Sequence, residues 1–257
     1  MSQPLVLSPR ECQGKTWYPP EDLAFAQHRA LIPLHAGELA KAAAAMPLAA
    51  VKEGREWRLV GVCGLESGHN LFIKQGKWLG HYRLEWFSIY PFEIVTVGEK
   101  GLITFDRDSG LLGEEGQEGE ERVEPFFDDQ GQMTEAVATR VEALKAAYGK
   151  QQTTHKALQA LASAGVLTPW PETLRSQLGL SIEGLHMVDE KALAQLDDEA
   201  FLALRKALPI AYALNLSIPQ THLLARLGRL NPAQAEAPET LDSFFEDDEE
   251  LSFDFDS

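Results

Sequence analysis

Cysteine is scarce in this sequence, whose 257 residues include only Cys12 and Cys63. Two cysteines so far apart form neither the paired spacing of a zinc site nor a disulfide framework. The class of small secreted domains held together by disulfides is therefore excluded. Cys63 stands in the apolar run LVGVCGL, and we predict that it is a small buried side chain.

Lysine and arginine are also few, 23 against 39 Asp and Glu, which gives a formal net charge of -16. Ten of the carboxylates lie from Glu236 onward, where the sequence has no Lys or Arg, so the remaining residues carry a net charge of -6. A protein that binds duplex nucleic acid needs a basic face to neutralise phosphates. No such cluster is present, and we predict no nucleic-acid partner.

Long apolar runs are missing as well. Nowhere do 18 apolar residues follow one another, which predicts no transmembrane segment. The N-terminus MSQPLVLSPRECQGKTW lacks the basic start and apolar stretch of a Sec signal. We therefore expect a cytoplasmic protein; the alternative is a cell-surface location reached through a signal-less or C-terminal-signal export route.

Recognised metal and nucleophile patterns are missing too. His28 and His35 lie seven positions apart, and no carboxylate completes a ligand set around them. Ser67 in the sequence GLESG lacks the glycine two positions before it that a nucleophile elbow needs. We predict no metal, no cofactor and no catalytic residue.

The segment Gly68–Phe92 is the richest in aromatic side chains. Its seven aromatic residues are Phe72, Trp78, Tyr82, Trp86, Phe87, Tyr90 and Phe92. Strand-like runs separated by turn residues surround and include it. The predicted strands are Leu48–Val51, Trp57–Leu65, His69–Lys74, Trp78–Leu84, Pro91–Val97 and Leu102–Asp106. Connections this short favour antiparallel pairing.

The pattern becomes helical from Thr134 onward. Apolar residues recur at three-to-four spacing from Met133 to Tyr148, and a second helix over residues 154–164 is predicted to end at Gly165. Asp189 and Asp197 are predicted N-caps of later helices. Pro209 is expected to kink or divide a helix.

These patterns predict an α+β fold, in which an antiparallel, aromatic-rich sheet or open barrel is covered by C-terminal helices. Residues 1–30 are predicted to be an extended N-terminal arm. A single domain is expected over residues 31–230, with the sheet at 48–106 and the helices at 134–228. Residues 231–257 mix Pro, Ala and acid and are predicted to be a disordered acidic tail.

Two groups of polar residues are candidates for ligand binding. His69 and Asn70 follow a glycine in a predicted hairpin turn, where such side chains either support the turn or face a ligand. His81, Arg83 and Glu85 alternate along a predicted strand and would share one face. That row is either a solvated face with an internal ion pair, or a site for an anionic ligand or for proton transfer.

The aromatic side chains Trp78, Trp86, Tyr90 and Phe92 also admit two interpretations. They either form the core between sheet and helices or line an exposed groove that docks a peptide or flat ligand.

In the acidic tail, apolar side chains interrupt a run of carboxylates. Acid keeps such a segment soluble while its apolar residues stay available to a hydrophobic groove. The candidates for partner docking are Phe244, Phe245, Leu251, Phe253 and Phe255. A C-terminal export signal and a passive solubilising tail are the alternatives.

Five segments resemble the SapC family of bacterial proteins. They are RALIPLHAGELAKAAAAMPLAAV, GLESGHNLFIKQGKWLGHY, YPFEI, EPFFDDQGQMTE and GLHMVDEKALAQLDDEAFLALRKALPIAYALNLSIPQTHLLARL. Together they cover most of residues 29–227, and none of them is a catalytic signature.

The resemblance implies a bacterial protein associated with a surface-layer operon. Relatives of this family are often encoded beside TonB-dependent receptors and halogenase-like flavoproteins. We therefore expect a non-catalytic accessory or binding protein that docks a protein or peptide partner, which the products of such neighbouring genes could be. The alternatives are an enzyme or enzyme subunit that acts with the flavin-dependent partners on a small or peptide substrate, and a structural component of a surface layer.

Overall fold

The computed structural model describes residues 4–97, 100–114 and 123–230, and these contain thirteen strands and eight α-helices. The strands are β1 (Leu5–Val6), β2 (Lys15–Trp17), β3 (Leu31–Pro33), β4 (Leu48–Glu53), β5 (Glu56–Val62), β6 (Ile73–Lys74), β7 (Lys77–Trp78), β8 (Phe92–Val97), β9 (Lys100–Phe105), β10 (Leu112–Glu114), β11 (Glu124–Pro125), β12 (Leu167–Pro169) and β13 (His186–Val188). The helices are α1 (Leu39–Ala45), α2 (Trp86–Ile89), α3 (Glu135–Ser163), α4 (Glu172–Leu178), α5 (Glu190–Ala194), α6 (Asp198–Ala203), α7 (Leu208–Leu216) and α8 (Thr221–Leu230).

All strand pairs in the described residues are antiparallel. The largest sheet has the order β12–β13–β4–β5–β3, and two three-stranded sheets have the orders β1–β9–β8 and β10–β2–β11. The hairpin β6–β7 stands apart from these sheets, and none of them closes into a barrel. The predicted α+β fold with antiparallel pairing is therefore confirmed.

Local signals explain several of the element boundaries. Gly54 forms the turn of the β4–β5 hairpin with a φ of 59°, in the left-handed region that favours glycine. The end of α3 at Gly165 and the N-caps of α5 and α6 are as predicted, since the carboxylates of Asp189 and Asp197 accept backbone N–H bonds there. Pro209 lies in the first turn of α7 and separates it from α6.

Two helices predicted before Gly165 are a single helix of 29 residues in the structure. The gap predicted between Tyr148 and residue 154 does not occur, because the buried residues Leu144, Ala147, Thr154 and Leu158 pack both halves of the helix against the sheets. A single exposed glycine, here Gly149, costs a helix only about 1 kcal/mol.

The strand predicted at Trp78–Leu84 is wrong beyond its first residue. After β7 the chain bends, and the indole Nε1 of Trp78 donates to the carbonyl oxygen of Tyr82 at 2.8 Å. The strand predicted at His69–Lys74 is also reduced, to Ile73–Lys74. Side-chain-to-backbone bonds replace ladder pairing in both segments.

Buried apolar side chains form two clusters. The larger one lies between the five-stranded sheet and the helices and includes Cys63, whose burial confirms the prediction. The smaller one lies between β1, β8, β9 and the first half of α3, and Trp17 is fully buried in it. Residues 1–30, predicted as an arm, thus supply β1 and β2 to two sheets and an aromatic side chain to one core.

The aromatic segment belongs to the interior. Trp86, Tyr90 and Phe92 are buried, and the half-buried Trp78 stacks on Phe72 with a centroid distance of 5.0 Å. The core interpretation is therefore confirmed, and the exposed aromatic groove is wrong. Edge-to-face and tilted contacts with centroid distances of 4.7 to 5.3 Å occupy the ring faces that a ligand would need.

Candidate functional site

Asn70 is buried, and its carboxamide is engaged on both sides. Nδ2 donates to the carbonyl oxygens of Ala26 at 3.4 Å and Arg29 at 3.0 Å, and Oδ1 accepts from the N–H of Phe72 at 3.0 Å. This geometry ties the loop after β5 to the N-terminal segment and matches the turn-supporting interpretation. His69, next to it, is half-buried and faces a groove described below.

His81, Arg83 and Glu85 do not form the predicted row. All three side chains are exposed, and within the described ranges no hydrogen bond or ion pair joins any two of them. The guanidinium of Arg83 lies 5.8 Å from the ring centroid of Phe87. Glu85 instead joins a buried polar group that the sequence analysis missed.

That group, here called the His35 cluster, consists of His35, Glu38, Tyr82, Glu85, Lys150 and Thr154. Its base is the 3₁₀ turn Ala36–Glu38, where His35 is the N-cap and Glu38 closes a capping box. The sequence signal for such a helix start is Ser, Thr, Asp or Asn followed three positions later by Glu or Gln. His35 is none of these residues, so that signal does not indicate the His35–Glu38 pair.

Glu38 is a buried carboxylate surrounded by donors. Its Oε1 accepts from the hydroxyl of Tyr82 at 3.0 Å and from the N–H of Glu85 at 2.8 Å, and its Oε2 accepts from the N–H of His35 at 3.4 Å. Burial and the adjacent carboxylate of Glu38 raise the pKa of Tyr82. The phenol therefore remains the donor, and the carboxylate fixes the bent segment 79–85 against the turn.

The imidazole of His35 uses both ring nitrogens. Nδ1 accepts from the N–H of Gly37 at 3.2 Å, so Nε2 carries the proton and donates to Oε2 of Glu85 at 3.0 Å. Lys150 Nζ lies 3.5 Å from the same oxygen. The side chains of Glu85 and Lys150 are 45% and 47% exposed, so the cluster opens to solvent through both of them.

A second polar group, formed by Arg29, Tyr90 and Asp106, connects three segments of the chain. Arg29 donates to the Tyr90 hydroxyl at 3.1 Å and to Asp106 at 3.0 Å, and its guanidinium lies over the rings of Tyr90 and Trp86. Burial raises the pKa of Tyr90 to about 12. These contacts hold the N-terminal segment against the end of β9 and have no sequence signal.

Among the described residues, two surfaces are candidates for docking a partner. The first, the α8 groove, is a cavity of about 720 Å³ between the loop after β5, the end of α4 and α8. Leu65, Leu71 and Leu178 supply its apolar walls, and His69, Gln177 and Arg229 lie among its polar residues.

The second surface, the α7 face, is defined by Tyr212 and Leu216 on α7. These two side chains are 53% and 73% exposed, respectively. Tyr212 and Leu216 are four positions apart and therefore neighbours on the helix surface. Ile210, Ala211 and Leu214, on the other side of α7, are buried.

The described residues thus form an α+β scaffold of antiparallel sheets and helices. The chain belongs to the SapC family, whose model matches residues 7–224 and thus confirms the resemblance. No curated protein and no solved structure matches the chain significantly.

Two further properties concern the described ranges alone. In them, no three His, Cys, Asp or Glu side chains converge in a way that could hold a metal ion. None of their helices has the length and apolar character required to cross a bilayer.

Proposed function

We propose that this SapC-family chain is a non-catalytic accessory protein that docks a protein partner through the α7 face. The observation that carries the proposal is the exposure of Tyr212 and Leu216 on a helix whose opposite side is buried. Single exposed apolar residues are ordinary, but an apolar group of this kind commonly marks an interaction site. Tyrosine is enriched among the residues that dominate binding energy.

The partner that fits this surface is a folded protein with an apolar pocket. Within the family resemblance, the halogenase-like flavoprotein and the TonB-dependent receptor are the candidates, and the predicted cytoplasmic location favours the flavoprotein. The tail residues Phe244, Phe245, Leu251, Phe253 and Phe255 lie outside the described residues, and their role in docking stays a prediction.

Binding to these candidates tests the proposal. We expect Tyr212→Glu and Leu216→Glu each to weaken the affinity of the full chain for its partner at least about tenfold, because hot-spot residues contribute about 2 kcal/mol or more. Biolayer interferometry against the purified products of neighbouring genes measures this. Leu79→Glu is the matched control, since Leu79 is 47% exposed and lies outside the α7 face. Equal affinities of all three variants and the wild type would contradict the proposal.

The enzyme alternative has one observation in its favour, the exposed carboxylate of Glu85 beside His35 and Lys150. If the chain is an accessory, His81→Ala, Arg83→Ala and Glu85→Gln leave the turnover of the flavoprotein unchanged. A loss of tenfold or more in product formation, with partner affinity retained, supports the enzyme alternative instead. Glu142→Gln, an exposed carboxylate on α3, is the control for the charge change.

The surface-layer alternative predicts a different location. Fractionation of the native host distinguishes the two, because a docking partner of a flavoprotein is expected with the cytoplasmic proteins. Recovery of the chain in washed outer-layer fractions would favour the structural role.

A further inference from the structure

The α8 groove has depth because one of its lining residues lacks a side chain. Gly228 faces Leu65, and a Cβ at this position would lie 3.1 Å from Leu65 Cδ1. The groove therefore offers leucine side chains as an apolar surface in a cavity of about 720 Å³ that is open to solvent. Such a surface suits apolar side chains of an extended peptide.

Positive charge collects around one end of the groove. The exposed residues of α8 include Arg226 and Arg229, and its sequence THLLARLGRL contains no carboxylate. Lys74 Nζ lies 3.4 Å from the carbonyl oxygen of Leu230, and Lys74 pairs directly with Lys77 across the β6–β7 hairpin. Like charges directly opposite each other are unfavourable unless an anion compensates them.

Two carboxylates lie on the same surface, Glu66 among the groove residues and Asp22 at the Gly76 turn of the hairpin. They do not neutralise the four cations. The surface is thus locally positive in a chain whose formal net charge is -16.

The sequence that follows α8 has the complementary chemistry. It contains ten carboxylates from Glu236 onward, no Lys or Arg, and the apolar residues Phe244, Phe245, Leu251, Phe253 and Phe255. It is joined to Leu230, one residue after Arg229 of the groove. The 14 residues that follow Leu230, from 231 to 244, span up to about 46 Å when extended, so the segment can return to the groove.

We propose that residues 241–255 of the chain bind in cis to the α8 groove, with their phenylalanines on its leucines and their carboxylates toward Arg226, Arg229, Lys74 and Lys77. A short tether gives an effective concentration of the order of 1 mM. A tail that binds with a dissociation constant of the same order therefore occupies the groove about half of the time. An external acidic, aromatic peptide then competes with the tail. The inference involves residues other than the α7 face and does not depend on the proposed function.

Paramagnetic relaxation in the full chain tests the inference. A nitroxide on Ser252→Cys labels the tail selectively, because Cys12 and Cys63 are buried and burial raises the pKa of both thiols. At low salt we expect the amide signals of His69, Gln177 and Arg229 to lose about half of their intensity or more, in line with the expected occupancy. The double variant Arg226→Glu, Arg229→Glu should restore them, because Arg229 lies among the groove residues and Arg226 is an exposed cation on the same helix.

The matched control is Arg205→Glu, Lys206→Glu, which makes the same charge change at exposed positions before α7 and should leave the broadening intact. A mixture of two chains separates contact within one molecule from contact between molecules. One chain carries the nitroxide and no ¹⁵N, and the other carries ¹⁵N and no nitroxide. Broadening that survives the groove reversal, centres on the α7 face, or occurs only between molecules would overturn the inference. Unchanged amide shifts outside the groove show that the variants remain folded.

Discussion

Replacing Trp17 by alanine is expected to lower the free energy of unfolding by about 3–5 kcal/mol, the range for deleting a large buried aromatic side chain. Trp17 is fully buried, and its ring centroid lies 5.4 Å from Phe92, 6.1 Å from Phe105 and 6.3 Å from Phe126. Alanine would leave a cavity among these three rings. Urea unfolding followed by circular dichroism measures the change.

Trp17→Phe separates volume from hydrogen bonding. Among the described residues, the buried indole Nε1 of Trp17 has no hydrogen-bond partner, so phenylalanine removes volume but none of the hydrogen bonds seen there. We expect a loss below about 2 kcal/mol for this variant. A loss below about 1 kcal/mol for Trp17→Ala would show that the N-terminal 30 residues form a detachable arm, since surface changes have effects of that size.

Glu38→Ala is expected to lower the free energy of unfolding by about 2–4 kcal/mol, because it leaves buried donors without an acceptor. The donors concerned are the hydroxyl of Tyr82 and the N–H groups of His35 and Glu85. Without Glu38, the bent segment 79–85 loses its attachment to the 3₁₀ turn. We therefore also expect faster hydrogen exchange at the amide of Glu85.

Two variants make this result specific. Glu38→Gln retains one acceptor oxygen and should cost less than Glu38→Ala. Glu142→Ala removes an exposed carboxylate that pairs with Lys145 on α3, and its effect should stay within about 0.5 kcal/mol. If Glu38→Ala is as mild as Glu142→Ala, the carboxylate does not organise the His35 cluster.

Much of the fold could be predicted because its signals are local. The β4–β5 hairpin follows from alternating strand residues around Gly54, and the caps at Asp189 and Asp197 each act within three positions of their helix. The pairing of β1 with β9 and of β2 with β10 joins positions about a hundred residues apart. No local sequence pattern specifies such pairing, so the burial of Trp17 in the smaller core cluster could not be predicted.

The candidate site likewise combines contacts that are local along the chain with contacts between distant positions. The capping box of His35 and Glu38 is local along the chain, but Tyr82 and Glu85 approach Glu38 from 44 and 47 positions away. The α7 sequence LPIAYALNL is apolar on nearly every side, a pattern that usually predicts a fully buried helix. Its exposed face depends on what the fold leaves uncovered, which the sequence alone does not state.

Photo-crosslinking in the native host tests most directly whether the α7 face docks a partner. A benzoylphenylalanine placed at Tyr212 or at Leu216 is predicted to yield the same adduct with one other protein, identified by mass spectrometry as a neighbouring-gene product. The same group at Leu79 should give no such adduct. Adducts that are absent at both α7 positions, equal at Leu79, or composed of two copies of this chain would contradict the account.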